Sequence, residues 1–587
     1  MANRGAECAL LMRLQSRYVA PADHATTNAR EDTLIGKRAL YYGVREPEAP
    51  ALGGRLPVAI AVPGGEKNAL STLGWQSVYR TLSEDPGLAV ERVFPDKLGL
   101  TDGGDPKTRE SNSPLSSFPV TAWSVTFEED FLTLPRTLQA AGVPPLAAER
   151  SRLPLVILGG PIAFLNPAPI APFVDIFWVG EAEGEFLAFH HKLKELIFDG
   201  QDRDTILEAV KDHPGVYIPG RSKTPVKRLV SGPMGTLNDP AFSCFISGHA
   251  TFRDTLLLEV NRGCPYGCRF CAAGFIYRPP RHADIDELKR IVELTDPPKI
   301  GLVGTALTDW PELLPFIKWI HGQKKKFSLS SLRADGITED LLVYLRERGI
   351  RTITLALEGA SNRLRNMMAK KLDPQDFLNA VRLCARYGVN HLKVYLIVGW
   401  PDETEEDYEE LRAFLEEVVR IRSEEPGGRK KQFMRITIGI SSLVPKPFTP
   451  FQWAPMMSEE KLNARMKMLR QMVKPFKGVT LHHDNPFQAR LQGLLARGGE
   501  ELADFIMLAA EHGGWKKALK RWDGDPSQVL DRERGADEVF PWEVIDIGVR
   551  REHLYKEWQR AKEAKTSAGC SAKGCTQCAG CGMEEFL

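Results

Sequence analysis

Short apolar runs separated by amphipathic stretches of helical length organise most of this chain. The first series opens at "RLPVAIAVPGG", apolar from Val58 to Val62, and continues through "PGGEKNALSTLG" into the helix-like "WQSVYRTLSED". Further runs at "LAVERVFP", "VTAWSVT", "LPLVILGG" and "DIFWVGEAEGE" read as strands. Alternating strands and helices predict a parallel, doubly wound (Rossmann-like) α/β domain over residues 56–245. Ligands of such sheets sit in the crevice beyond the carboxyl ends of the strands. Gly64–Gly65, Gly159–Gly160 and the loop Gly180–Glu183, which includes Glu181, are expected to line it. Residues 1–55 show weak periodicity and are expected to form a leader packed on this domain.

A polar link near residues 220–250 precedes a second alternating series. Its strands are expected at "TLLLEVN", "KIGLVGT", "FSLSSLR", "TITLALEG", "HLKVYLIVGW" and "RITIGISSLVP". Amphipathic stretches such as "DPQDFLNAVRLCARYG" and "ETEEDYEELRAFLEEVVRI" lie between them. Six strand–helix units over residues 250–457 predict a partial (β/α)6 barrel, with reactive groups on the loops after its strands. Residues 458–565 read as a mainly helical region. The small and polar residues before Cys570 read as a flexible tether to a cysteine-rich, metal-binding tail over 566–587.

Composition narrows the class. The chain has 587 residues, too many for one core, and its 43% hydrophobic and 26% charged content is that of a globular protein. A formal charge of +1 gives no global attraction to nucleic acid or membrane. No signal peptide opens the chain, and the most apolar stretch, "PLVILGGPIAFLNPAPIAPFVDIFWVG", is broken by five prolines. The expectation is a cytoplasmic protein without a membrane partner, in which clustered cysteines favour metal over disulfides. Cys8, Cys244 and Cys384 stand alone and read as small buried hydrophobes. The remaining seven fall into two sets.

The first set is Cys264, Cys268 and Cys271 in "NRGCPYGCRFCAAGF", directly after the first strand of the second series. Three thiolates hold three irons of a 4Fe–4S cubane, and the fourth iron keeps an open position for a small chelating amine and carboxylate. Gly263 and Gly267 let the backbone fold tightly around such a cage, and Pro265 stiffens the turn. The Cys-x3-Cys-x2-Cys spacing, with Phe270 before the last cysteine, resembles the signature of radical S-adenosylmethionine (radical SAM) enzymes. So do "LSSLRADGITEDLL", "LALEGASNRLRNMM" and "VYLIVGWPDETEEDYEEL". The pieces "LGGPIAFLNP" and "WVGEAEGEF" are similar to members that carry an N-terminal cobalamin-binding-type domain.

The resemblance implies that Cys264, Cys268 and Cys271 ligate a 4Fe–4S cluster whose open iron binds SAM. It implies Gly304 and Thr305 at the methionine end, where the family's usual Gly-Gly-Glu motif is absent. Ser331 and Arg333, at the end of the third strand, would meet carboxylate or ribose; Glu358 would meet ribose, and Val398–Gly399 would flank adenine. For the N-terminal crevice two readings stand: bound cobalamin, or a retained scaffold that docks substrate. The loop "PGGEKNALSTLG" lacks the Asp-x-His-x-x-Gly pattern of the best-known cobalamin domains.

The second set, Cys570, Cys575, Cys578 and Cys581, supplies four thiolates, which suit a second 4Fe–4S cluster or tetrahedral zinc. A second cluster would relay electrons or anchor substrate. His482 and His483 are expected on opposite faces of a strand, and Lys324–Lys326 and Arg429–Lys431 as solvated basic runs. The expected function is reductive cleavage of SAM to a 5′-deoxyadenosyl radical, with methyl transfer to an unactivated carbon through cobalamin. The alternatives are radical sulfur insertion or rearrangement using the C-terminal cluster, or a non-catalytic iron–sulfur protein serving RNA or protein. The expected partners are an electron donor such as flavodoxin or ferredoxin and a substrate that is RNA, a peptide or a small metabolite.

Overall fold

The structure is a computed structural model that describes residues 47–101, 104–232, 235–425, 434–570, 578 and 580–586. Nearly all of the leader, with Cys8, and the segments holding Arg429–Lys431 and Cys575 lie outside them. In the first unit, strands β1 (Leu56–Ala61), β2 (Leu88–Val93), β3 (Val120–Ser124), β4 (Leu155–Gly159) and β5 (Ile176–Trp178) form a parallel sheet in the order β2-β1-β3-β4-β5. Strands β1 and β2 are buried throughout, as expected of strands covered on both faces. The edge differs from the sequence expectation: β6 (Val216–Tyr217) joins β5 antiparallel. Helices α1 (Leu73–Ser83) and α2 (Glu185–Phe198) cover the sheet, and Trp75 of α1 packs on Phe94 and Phe245. The strand order reverses between β1 and β3, and a crevice opens there.

Each of the six apolar runs of the second series contains a strand. In the order of the chain come β7 (Val226–Lys227), β8 (Gly235–Leu237), β9 (Thr255–Arg262), β10 (Arg281–Ala283), β11 (Lys299–Gly304) and β12 (Lys326–Leu329). They are followed by β13 (Thr352–Glu358), β14 (His391–Val398), β15 (Arg435–Ser442) and β16 (Val479–His483). One sheet runs β12-β11-β9-β10-β8 and another β13-β14-β15-β16; a parallel bridge between Leu332 and Leu355 links them. The connecting helices start on local signals. Asp373 caps α3 (Pro374–Arg386) by accepting from the Gln375 amide, and Thr404 with Asp407 forms a capping box for α4 (Glu405–Glu424).

The region after residue 457 is mainly helical, as expected, with two short strands: β16 extends the sheet beside β15, and β17 (Ile545–Asp546) pairs with β7. The strand at β16 is half-exposed and alternates polar with apolar residues, so its apolar signal is weak. One expectation needs correction: the approach to Cys570 is not a free tether. Ser567 bonds to Arg269 and Glu557, and the Cys570 amide donates to the Pro265 carbonyl at 2.6 Å. Helix α5 (Arg551–Lys562), which carries Glu557, supports this segment. Among the described residues no helix is long and apolar enough to cross a membrane.

Candidate active site

Strand β9 delivers the cysteine loop. Gly263 takes φ +81°, and a Cβ there would stand 2.4 Å from the Tyr277 carbonyl oxygen, so the backbone passes where only glycine fits. The loop closes with the Cys271 amide donating to Cys268 O at 3.0 Å, and the short helix Ala273–Ile276 follows. Burial pushes the Cys264 thiol up to about 12, against a hydrogen bond from the Tyr266 amide. Burial likewise pushes Cys268 to about 11, opposed by the charge of Lys370. Cys271 is raised by burial while the Gly274 and Ala273 amides act on its sulfur. Three desolvated thiols, two of them (Cys264 and Cys271) with backbone amides aimed at their sulfurs and the third facing Lys370, fit an iron–sulfur cluster, whose metal charge removes the thiol protons on binding.

The walls around the loop come from several strand ends. Thr305 donates to the Gly263 carbonyl at 2.5 Å, and a Cβ on Gly304 would meet Asn261 Oδ1 at 2.4 Å, so β11 is tied to the loop. Glu358 ends β13 at φ +65°, a rare conformation for a non-glycine residue, and its carboxylate pairs with Lys370 at 3.4 Å. Both charges act on Cys268 and Cys271. Phe270 packs edge-on against Trp400, the residue after Gly399, and Gly399 donates to Glu403 at 2.8 Å. Val398 is buried.

The strand expected to run to Arg333 stops at Leu329, because the chain turns there to bridge Leu355 through Leu332. Ser331 is exposed in that loop. Arg333 stacks over the Tyr266 ring at 3.8 Å and donates to Asp335 and to the Lys371 carbonyl. Tyr266 in turn donates to Asp309 at 2.6 Å.

A cavity of about 450 Å³ lies between the first sheet and the ends of β9 and β11. Gly159, Gly160, Gly180 and Glu181 line it from one side, Gly304 and Thr305 from the other. Gly64–Gly65 do not line it. Their amides donate to Pro95 O at 3.1 Å, and Thr72–Gly74 at the start of α1 take the expected place. Trp75, Trp123, Phe164 and Tyr277 give the mainly apolar lining aromatic walls, and no histidine is among the described residues that border it. Gly74 has no atom near the position of a Cβ and Gly159 has only Trp178 at 3.9 Å. Gly160 and Gly180 are glycines for another reason: a Cβ there would collide with the Val125 and Leu229 backbones. An apolar cradle with open glycines fits a large planar ring bound without a histidine below the metal.

A second cavity, about 400 Å³, is bordered by Cys570, Cys578 and Cys581 together with Arg278, Arg550 and His553. Burial raises the Cys570 thiol, against the charge of Arg278, with Cys581 and Cys578 adding to the rise. Among the described residues no group of three His, Cys, Asp or Glu side chains is drawn tightly enough to hold a metal ion as it stands. His482 and His483 alternate along β16, and Cys244 and Cys384 are buried in the core. Sequence reasoning missed Arg269, fully buried inside the cysteine motif, which donates to Glu557, Met367 O, Asn366 O and Ser567. Its signal was its place between two cysteines. It missed Lys370 as well, which local sequence does not mark.

The model of the radical SAM superfamily matches residues 258–415, which hold the cysteine loop, and that of the N-terminal region of radical SAM proteins matches 74–219. An uncharacterised protein of Methanocaldococcus jannaschii is 30% identical over 390 residues, 65% of this chain and 78% of its own length. The chain belongs to the radical SAM superfamily. A radical SAM enzyme works with a 4Fe–4S cluster and SAM, and uses a substrate and a reductant, so the non-catalytic alternative falls away. The ribosomal protein uS12 methylthiotransferase RimO of Thermotoga petrophila is 26% identical over 179 residues, 27% of this chain and 41% of its own. The 2-(S-pantetheinyl)-carbapenam-3-carboxylate methyltransferase of Streptantibioticus cattleyicolor is 32% identical over 209 residues, 34% of this chain and 28% of its own. The chain thus spans under half the length of these two named relatives.

Proposed function

We propose that this radical SAM enzyme transfers a methyl group to an unactivated carbon, with cobalamin in the crevice of the first unit and SAM over the partial (β/α)6 barrel. The observation that carries the reading is the shared cavity, in which Gly159 and Gly180 of the first sheet face Gly304 and Thr305 beside the cysteine loop. A ring held by the first sheet would look onto the place where SAM is cleaved. Cys264, Cys268 and Cys271 hold the cluster, and with SAM bound its chemistry is one-electron cleavage of the carbon–sulfur bond to a 5′-deoxyadenosyl radical. Gly304 and Thr305 flank the methionine end, Glu358 accepts from ribose hydroxyls, and Val398–Gly399 back the adenine. Ser331 and Arg333 border the carboxylate side; the bonds from Arg333 to Asp335 and Lys371 O hold its guanidinium over Tyr266. Cys570, Cys575, Cys578 and Cys581 hold a second cluster, whose added electron the cations around the second cavity would offset.

A second reading, sulfur insertion, draws on the likeness to RimO. Both readings predict 5′-deoxyadenosine from anaerobic incubation with SAM and dithionite, and the spectrum separates them. Methyl transfer through cobalamin predicts corrin bands after purification with hydroxocobalamin, and sulfur insertion predicts none. Cys271→Ala is expected to abolish 5′-deoxyadenosine and the iron of the first site. Absence of corrin bands from folded, iron-loaded protein would sink the methyl-relay reading.

A further inference from the structure

The two cysteine sets, far apart in sequence, lie against each other along one continuous contact. Arg269 Nη2 donates to Ser567 Oγ at 2.5 Å, and Arg269 Nε donates to Glu557 at 3.0 Å. Where Gly267 passes, a Cβ would lie 3.9 Å from the Ala568 carbonyl oxygen. One on Gly569 would lie 2.8 Å from Pro265 O, the same oxygen that accepts from the Cys570 amide at 2.6 Å. Residues 567–570 therefore run along the cysteine loop, anchored at both ends.

Pro265 directly follows Cys264. From the sulfur of Cys264 to that of Cys570 the path is covalent except for this single hydrogen bond. Electronic coupling decays exponentially with separation, and more steeply across a gap than along bonds. Any metal group on Cys570 is thereby coupled to one on Cys264. The cavity beyond Cys570 carries Arg278, Arg550, Lys556 and Arg560 against Glu552 and Glu557, and Glu557 is already engaged by Arg269. Arg550, Glu552 and Lys556 are exposed at its mouth, Arg550 lying 3.6 Å from Glu584, so four cations of the lining stand against two carboxylates. The rim is electropositive and suits the acidic surface of a small one-electron carrier protein.

We infer that Cys570, Cys578 and Cys581 form the electron entry port of this enzyme, and that the Pro265–Cys570 hydrogen bond carries the electron to the Cys264/Cys268/Cys271 site. The inference rests on the radical SAM reading above and on iron–sulfur occupancy of the second site. The step balances with a reduced, acidic one-electron carrier as reductant. The carrier loses one electron, both sites return to their resting states, and the carbon–sulfur bond of SAM accepts it to give methionine and the 5′-deoxyadenosyl radical.

The test uses the full chain, reconstituted anaerobically, as wild type, Cys578→Ala and Gly569→Ala. Reduced flavodoxin is the probe donor, dithionite the small reductant, and rapid-freeze EPR of the SAM-shifted signal reads reduction of the first site. Cys578→Ala is expected to lose about half of the iron and sulfide while keeping the SAM-shifted signal under dithionite. Gly569→Ala drives a Cβ against Pro265 O and keeps every cysteine. It is expected to retain full iron yet slow reduction by flavodoxin about tenfold or more, with dithionite unaffected. Unchanged iron in Cys578→Ala, or wild-type flavodoxin rates in either variant, overturns the port. Wild type that shows no SAM-shifted signal and no 5′-deoxyadenosine with dithionite overturns the underlying radical SAM reading as well.

Discussion

Gly263 and Gly267 flank the first cysteines and look alike in sequence, yet the structure separates them. At Gly263 the left-handed φ of +81° and a Cβ position 2.4 Å from one carbonyl oxygen and 2.9 Å from another leave no room for a side chain. At Gly267 the nearest atoms would be 3.9 Å away. Gly263→Ala is therefore expected to cost at least about 2 kcal/mol and to lower iron bound at the triplet, whereas Gly267→Ala stays near wild type. Urea unfolding and iron counts on both variants check this; equal behaviour would refute it. The cysteine triplet was legible in sequence because its spacing is covalent. The place of Arg333 just after β12 was legible, but not its stacking on Tyr266, since that contact depends on where β12 stops.

Elements form where local signals agree. The Asp373–Pro374 start of α3 and the Thr404/Asp407 box of α4 are readable because cap and helix are neighbours in the chain. The strand expected at His482–His483 was readable as a strand, but its place in the sheet was not, since "VTLHH" is positioned by pairing with β15, forty-odd residues earlier. Helix α2 carries a pH dependence of its own. His190 is fully buried, its Nδ1 bonds the Phe186 carbonyl at 2.9 Å and its Nε2 has no hydrogen-bond partner among the described residues. Burial pushes its pKa from 6.5 down to about 4, so the folded state holds the ring neutral while the unfolded chain takes up a proton first. The stability this supplies is complete above about pH 6.5 and is lost as pH falls toward 4, by at most roughly 3 kcal/mol. The urea midpoint is expected to fall between about pH 7.5 and pH 5, and His190→Leu to flatten that slope. A slope unchanged in the variant would assign the effect elsewhere.

Across the whole molecule, the first unit is locked to the second through Arg262. That side chain, largely buried, meets Glu181 at 3.1 Å, Glu183 at 2.8 Å and Glu259 at 2.9 Å, while Arg281 also bonds Glu181. Arg262→Met leaves Glu183 and Glu259 without their arginine while Glu181 keeps Arg281, and is expected to cost about 3 kcal/mol, with little rescue by salt. Hydrogen exchange should show residues 180–183 opening first; protection equal to wild type there would exclude this role. The chain's linear order was enough to specify the apolar strands, the alternation that makes an α/β protein and the two cysteine sets, because period and spacing act over a few residues. Folding in three dimensions alone chose which glycines face a shared cavity, brought Glu181 to Arg262 and laid Cys570 against Pro265. Those contacts join residues tens to hundreds of positions apart, and only the packing of whole sheets and helices selects them.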